Sequence, residues 1–188
     1  MGAAIPTIEN TVTNLKTKYA RIERERKFLL RGLPEPLTGA SEHFQIWDNY
    51  ITNTRLRLRK IRYPKTKEFV VKLTQKYLLD EKDLSRCVIT NTYLNAIEYE
   101  VLSIFEANEI RKNRYPFEYE GRKYGIDVFI GPLWGLILAE TEFETDEEMK
   151  AFTPPYFAAM EVTQDPKFSG GNLYDATIDE LRAALAQK

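Results

Sequence analysis

Five separate segments of this chain carry charges at alternate positions, most of them like-signed, and that spacing constrains the fold more than any other feature. RLRLRKI (55–61) sets Arg55, Arg57 and Arg59 against Leu56 and Leu58. Lys72, Thr74 and Lys76 alternate with Val71 and Leu73, and Lys112 is followed two residues on by Arg114. Glu23, Glu25 and Lys27 share one parity, as do Glu140 and Glu142. On a helix, residues two apart do not face each other; on a strand they line one face. A face left in water tolerates any polar residue, so Ser, Thr, Asn and Gln should be common there. Here the positions are almost all charged, and like charges along one face repel unless the opposite sign lies near. Closing about eight antiparallel strands into a barrel brings the two signs together across a lumen. The expected fold is α+β: a closed eight-stranded antiparallel barrel, a tunnel with a charged lumen and helices packed outside.

The rest of the chain agrees with this pattern. Strands are expected over 20–30, 43–51, 55–61, 67–76, 85–91, 110–119, 122–130 and 135–145. LNAIEYEVLSIF (94–105) has helical spacing with Asn95 as its cap, and DEEMKAF and TIDELRAALA (177–186) are two further helices. Residues 1–18 read as a polar lead-in with a short helix, and 19–188 as one domain. The formal net charge is only −1, from 27 basic and 28 acidic residues, which argues against a basic footprint for DNA or a membrane surface. The longest apolar run, Val128 to Ala139, is broken by Gly-Pro and is shorter than the ~20 residues of a membrane span. With no signal-peptide pattern at its start, the chain is expected to be cytoplasmic. Cys87 and His43 are single, which leaves no internal disulfide and makes oxygen ligands the choice for any metal: Mg²⁺, Mn²⁺ or Ca²⁺.

Arginine and lysine clusters beside carboxylate clusters suit one ligand class. Arg grips phosphate bidentately and Lys as a point charge, while carboxylates hold a divalent cation that bridges phosphate oxygens. The residues also resemble a known family. Glu23-x-Glu25-x-Lys27 is similar to the ExExK signature of the CYTH superfamily, the triphosphate tunnel metalloenzymes. NYITNTRLRLRK resembles its second and third strands, LTQK (73–76) its LTxK, and KNRY (112–115) its KxRY. IDVFIGPLWGLILAETEFET and EVTQDPKFSGGNL, the latter with Glu161, Asp165 and Asn172, resemble its closing blocks. The likeness runs over roughly 20–185.

That resemblance implies a metal-dependent hydrolase of inorganic tripolyphosphate or a small organic triphosphate. Arg57, Arg59, Lys72, Lys76, Arg86, Lys112 and Arg114 would grip phosphate, and Lys27 and Asp127 would act at the reacting group. Glu23, Glu25, Glu140 and Glu142, with Glu161 as a further candidate, would ligate Mg²⁺ or Mn²⁺. It also makes a homodimer reasonable. One departure stands out: Val88 and Thr90, after Arg86, occupy the places of two glutamates in the family's RxExE strand. The alternatives are a class IV-type adenylyl cyclase acting on ATP and a non-catalytic polyphosphate- or nucleotide-binding module.

Overall fold

The structure is a computed structural model that describes residues 20–185. The lead-in expected over 1–18 lies outside the described residues. Eight strands appear where alternation placed them: β1 (Ala20–Leu29), β2 (Phe44–Ile51), β3 (Leu56–Arg62), β4 (Phe69–Asp80), β5 (Asp83–Leu94), β6 (Ala107–Tyr119), β7 (Arg122–Ile130) and β8 (Ile137–Glu142). Each pairs antiparallel with its neighbour in the order β5-β4-β3-β2-β6-β7-β8-β1, and β1 pairs back onto β5, so the barrel closes. β1 does this with two halves: residues 20–24 pair with β5, and residues 25–29 pair with β8 on the other edge. A two-residue strand, β9 (Met160–Glu161), takes the edge of β1 that β5 leaves.

Local chemistry sets the turns. Glu120 (φ 50°) and Gly121 (φ 73°) both adopt left-handed backbone in the two-residue β6–β7 connection, the turn whose twist matches a hairpin. Asn53 (φ 58°) does the same service between β2 and β3. Among the described residues four short α-helices lie between or after the strands: α1 (Ala96–Leu102), α2 (Asp146–Ala151), α3 (Gly170–Leu173) and α4 (Ile178–Leu185). Asn95 caps α1 as expected, accepting from the Glu98 N–H while Glu98 reaches back to the cap N–H.

Two apolar clusters hold the barrel. Outside, Phe28, Tyr115, Tyr124, Ile126 and Ala139 are covered by Leu33, Leu37, Phe152 and Phe157. Inside one end, Ile110, Phe129 and Leu138 of the inner face pack against Val162, Phe168, Leu173 and Leu181. The segment from Pro166 through α4 therefore fills one end of the barrel, and the polar lumen begins where this plug stops. Among the described residues no helix is long and apolar enough to cross a membrane.

Candidate active site

A cavity of about 830 Å³ occupies the lumen. Residues directly opposite in antiparallel ladders share a face. Register thus puts Glu25 beside Glu142, Lys27 beside Glu140, and Arg59 beside Lys72 on the inner wall. Of the residues singled out from the sequence, Glu23, Glu25, Lys27, Arg57, Arg59, Lys72, Lys76, Lys112, Arg114, Glu140 and Glu142 all line this cavity.

The charges divide into two walls. On the basic wall, β3, β4 and β6 supply Arg57, Arg59, Lys72, Lys112 and Arg114. Asp48 of β2, 1% exposed, anchors the arginines: Arg59 Nε and Nη2 donate to its two oxygens at 2.5 and 2.6 Å. Arg57 Nε is 3.6 Å from the same carboxylate, and it is a buried donor without a hydrogen-bond partner. Burial alone would raise the Asp48 pKa, but Arg59 and Arg57 hold it well below the usual carboxylate range. Lys72 faces the same pair without a carboxylate of its own. Burial, with Arg59 and Arg57 beside it, lowers its ammonium pKa to about 8. This cluster carries more positive charge than its one aspartate neutralises.

Asp127 does for β6 what Asp48 does for β3. It is fully buried, and it accepts from Lys112 Nζ at 2.5 Å and from Arg114 Nε and Nη2 at 2.6 Å each. It does not line the cavity; it sits behind the two cations that do. Gly125 allows this, since a Cβ there would stand 3.1 Å from Arg114 Nε.

The acidic wall is built by β1 and β8. Lys27 Nζ lies 3.0 Å from Glu25 and 3.5 Å from Glu140, and Glu140 is also paired with Arg114. Lys76 pairs with Glu23 and lies 3.8 Å from Glu25. Burial pushes the Glu25 carboxyl up, and Lys27 and Lys76 more than offset it, so its pKa falls. Burial also opposes charge on Lys27, but Glu25 and Glu140 raise its pKa. Glu142 is the exception. Burial and the like charges of Glu23 and Glu25 outweigh Arg21, and its pKa rises. Among the described residues no three Asp, Glu, Cys or His side chains already converge as a metal cluster. The donor set still fits Mg²⁺ or Mn²⁺, which bind through one or two carboxylates together with substrate phosphates rather than a closed protein cage.

Two sequence expectations need correction. Arg86 does not face the lumen. Cys87 pairs with Glu23 and Ile89 with Lys76, so the inner face of β5 is Cys87, Ile89 and Asn91, and Arg86, Val88 and Thr90 point outward. Arg86 donates to Asp83 at 2.7 Å and to Asp146 at 2.9 Å and ties α2 to the barrel exterior. SRCVITN mixes polar and apolar residues on both parities, so nothing in it fixes which face is inner, and a one-residue slip exchanges the faces. Glu161 is also outside, accepting from Arg26 Nε at 2.8 Å and from Thr163 at 2.7 Å. Asp48 was missed by sequence reasoning, because a lone acid in HFQIWDNYI shows no charge spacing. The signal was in the hairpin: a tight turn at TNT places Asp48 opposite Arg59.

No family model matches the chain. It is 30% identical over 152 residues to an inorganic triphosphatase of Nitrosomonas europaea, covering 78% of this chain and 92% of that protein. It is 36% identical over 95 residues to an inorganic triphosphatase of Acetivibrio thermocellus, covering 45% of this chain and 60% of that protein. A crystal structure of the inorganic triphosphatase NE1496 superposes with a TM-score of 0.55 at 26% identity, over 82% of this chain and 95% of the other. The chain belongs to the CYTH superfamily.

Proposed function

We propose that this protein is a metal-dependent triphosphatase that cleaves a phosphoanhydride bond of inorganic tripolyphosphate or a small organic triphosphate within the tunnel. The observation that carries the reading is the basic wall: Arg57, Arg59 and Lys72 share the single carboxylate of Asp48, and a buried Arg57 donor has no partner. A polyanion supplies what that wall lacks. Arg57, Arg59 and Lys72 bind one end of the phosphate chain, and Lys112 and Arg114, held by Asp127, bind the next group. Lys76 and Lys27 stand at the junction with the acidic wall and neutralise oxygens of the phosphoryl group under attack. In such transfers catalysis is positioning and charge stabilisation, with little covalent chemistry asked of the protein. Glu23, Glu25 and Glu142, with Glu140, hold the divalent cation, which when bound neutralises phosphate charge and polarises a phosphoryl oxygen. Asp127 is assigned a positioning role: its three hydrogen bonds come from two cations of the wall, Lys112 and Arg114, so it orients them and does not meet substrate.

A second reading, a binding module without turnover, is favoured by one feature. The inner face of β5 is Cys87, Ile89 and Asn91, without a carboxylate to orient water. Phosphorus NMR on purified protein with tripolyphosphate or ATP, in Mg²⁺ or Mn²⁺, separates the readings when run beside Glu25→Gln. Orthophosphate released from tripolyphosphate and lost in the variant is the expected result. Thermal stabilisation by tripolyphosphate without product selects the binding module. Pyrophosphate with cyclic AMP from ATP selects the cyclase.

A further inference from the structure

One residue joins the basic wall to the plug. Tyr50 of β2 pairs with Arg57 of β3, so the two side chains share the inner face, and both line the cavity. Burial opposes the charge of Arg57, but Asp48 and then Tyr50 beside it raise its pKa. Arg57 Nε nevertheless stays buried without a hydrogen-bond partner, 3.6 Å from Asp48. A donor in that state is held in place by its surroundings, not by a partner of its own.

The plug closes on the same phenol. The Tyr50 ring packs against the cluster that includes Phe168 and Leu173, and its centroid lies 5.8 Å from that of Tyr174. Gly170, the first residue of α3, approaches so closely that a Cβ there would collide with Tyr50 Oη and stand 3.1 Å from Cζ. No side chain fits between them unless the phenol or the plug moves. Gly170 is not left-handed, so space alone demands glycine at this position. The next residue, Gly171, is also not left-handed, and a Cβ there would meet nothing within 4 Å.

We infer that Tyr50 is a positioning residue of the tunnel: seated against Gly170 of the plug, its phenol holds Arg57 with Nε free for a phosphate oxygen, which couples the plug to the phosphate grip. This rests on the triphosphate reading of the cavity. A plug that shifts takes Tyr50 with it and loosens Arg57, and by reciprocity phosphate on Arg57 seats the plug.

Calorimetric binding of tripolyphosphate tests this, run without metal so that no turnover intrudes, and with Mg²⁺ where the parent protein requires it. The variants are Tyr50→Phe, Gly170→Ala, the two together, and Gly171→Ala, with thermal unfolding to confirm that each folds. Tyr50→Phe and Gly170→Ala are each expected to weaken binding about tenfold. The double variant is expected to lose no more than about threefold beyond Tyr50→Phe, because the added methyl no longer meets a hydroxyl. Gly171→Ala is expected to bind as the parent does. In hydrogen exchange, the amides of 170–174 are expected to gain protection when tripolyphosphate binds, and to lose that gain in Tyr50→Phe. Unchanged binding in Tyr50→Phe, losses that multiply in the double variant, or a plug protected equally with and without the hydroxyl overturns the inference and leaves the triphosphate reading intact. A parent protein that binds no tripolyphosphate, with or without Mg²⁺, overturns both.

Discussion

The two walls of the tunnel solve one problem in different ways. Each crowds like charges onto neighbouring strands. The basic wall places a buried aspartate behind each cation pair, Asp48 for Arg57 and Arg59 and Asp127 for Lys112 and Arg114. The acidic wall is neutralised from in front, by Lys27 and Lys76 inside the cavity. The basic wall is therefore rigid and pre-aimed, whereas the acidic wall can exchange its lysine partners for a cation. That division suits the proposed role, in which the basic wall grips phosphate and the acidic wall takes a metal.

The sharpest break in the comparison comes from removing a working charge on either side. Glu25→Gln and Arg57→Ala are each expected to lower kcat/KM for tripolyphosphate by about 10²–10³-fold. They differ in their remedy: raising Mg²⁺ partly restores Glu25→Gln and leaves Arg57→Ala unchanged, which steady-state assays across metal concentrations check. The next effect is on stability. Asp127→Asn removes the carboxylate paired with buried Lys112 and one of the two paired with Arg114, and is expected to cost about 3–5 kcal/mol by denaturant unfolding. Cys87→Ala, on the neutral face of β5, costs no more than about 1–2 kcal/mol.

Proton linkage comes third. The Lys72 pKa is depressed to about 8 in the fold, so above that pH the folded state binds fewer protons than the unfolded one. Stability without ligand therefore gains from Lys72 as pH rises from about 8 toward the ordinary lysine value, and the gain is absent below 8. Phosphate reverses the bias by favouring the charged form. Tripolyphosphate binding near pH 8 is expected to take up a proton, measured by calorimetry in buffers of different ionisation enthalpy, and Lys72→Arg abolishes the uptake. The smallest effect concerns Glu142, whose pKa is raised by burial and by Glu23 and Glu25. Its folded state favours the proton, so its ionisation weakens the fold as pH rises past the ordinary glutamate range. Glu142→Gln should raise the metal-free Tm slightly at neutral pH, and millimolar Mg²⁺ should remove the difference.

Much of this was legible in the sequence because charge alternation reports face directly. The charge pairs singled out in β1, β3, β4, β6 and β8 fall on strands and line the cavity, whereas Arg24 and Arg26 of β1 have the same spacing on the outside. The failures fall where that signal is absent. β5 mixes polar and apolar residues on both parities, so Arg86 was read onto the wrong side. Asp48 has no charged neighbour of its own parity, and its role exists only through β2–β3 register. Asp127 was seen, but a sequence does not show that its oxygens are already taken. Glu161 ends a strand of two residues, too short to announce itself.

The division of the tunnel is tested most directly by a crystal structure with tripolyphosphate and Mn²⁺, the metal located by its anomalous signal. The prediction is phosphate on Arg57, Arg59, Lys112 and Arg114, with Mn²⁺ between the phosphate chain and Glu23, Glu25 or Glu142. Manganese seated away from β1 and β8, or phosphate bound outside the barrel, would contradict it.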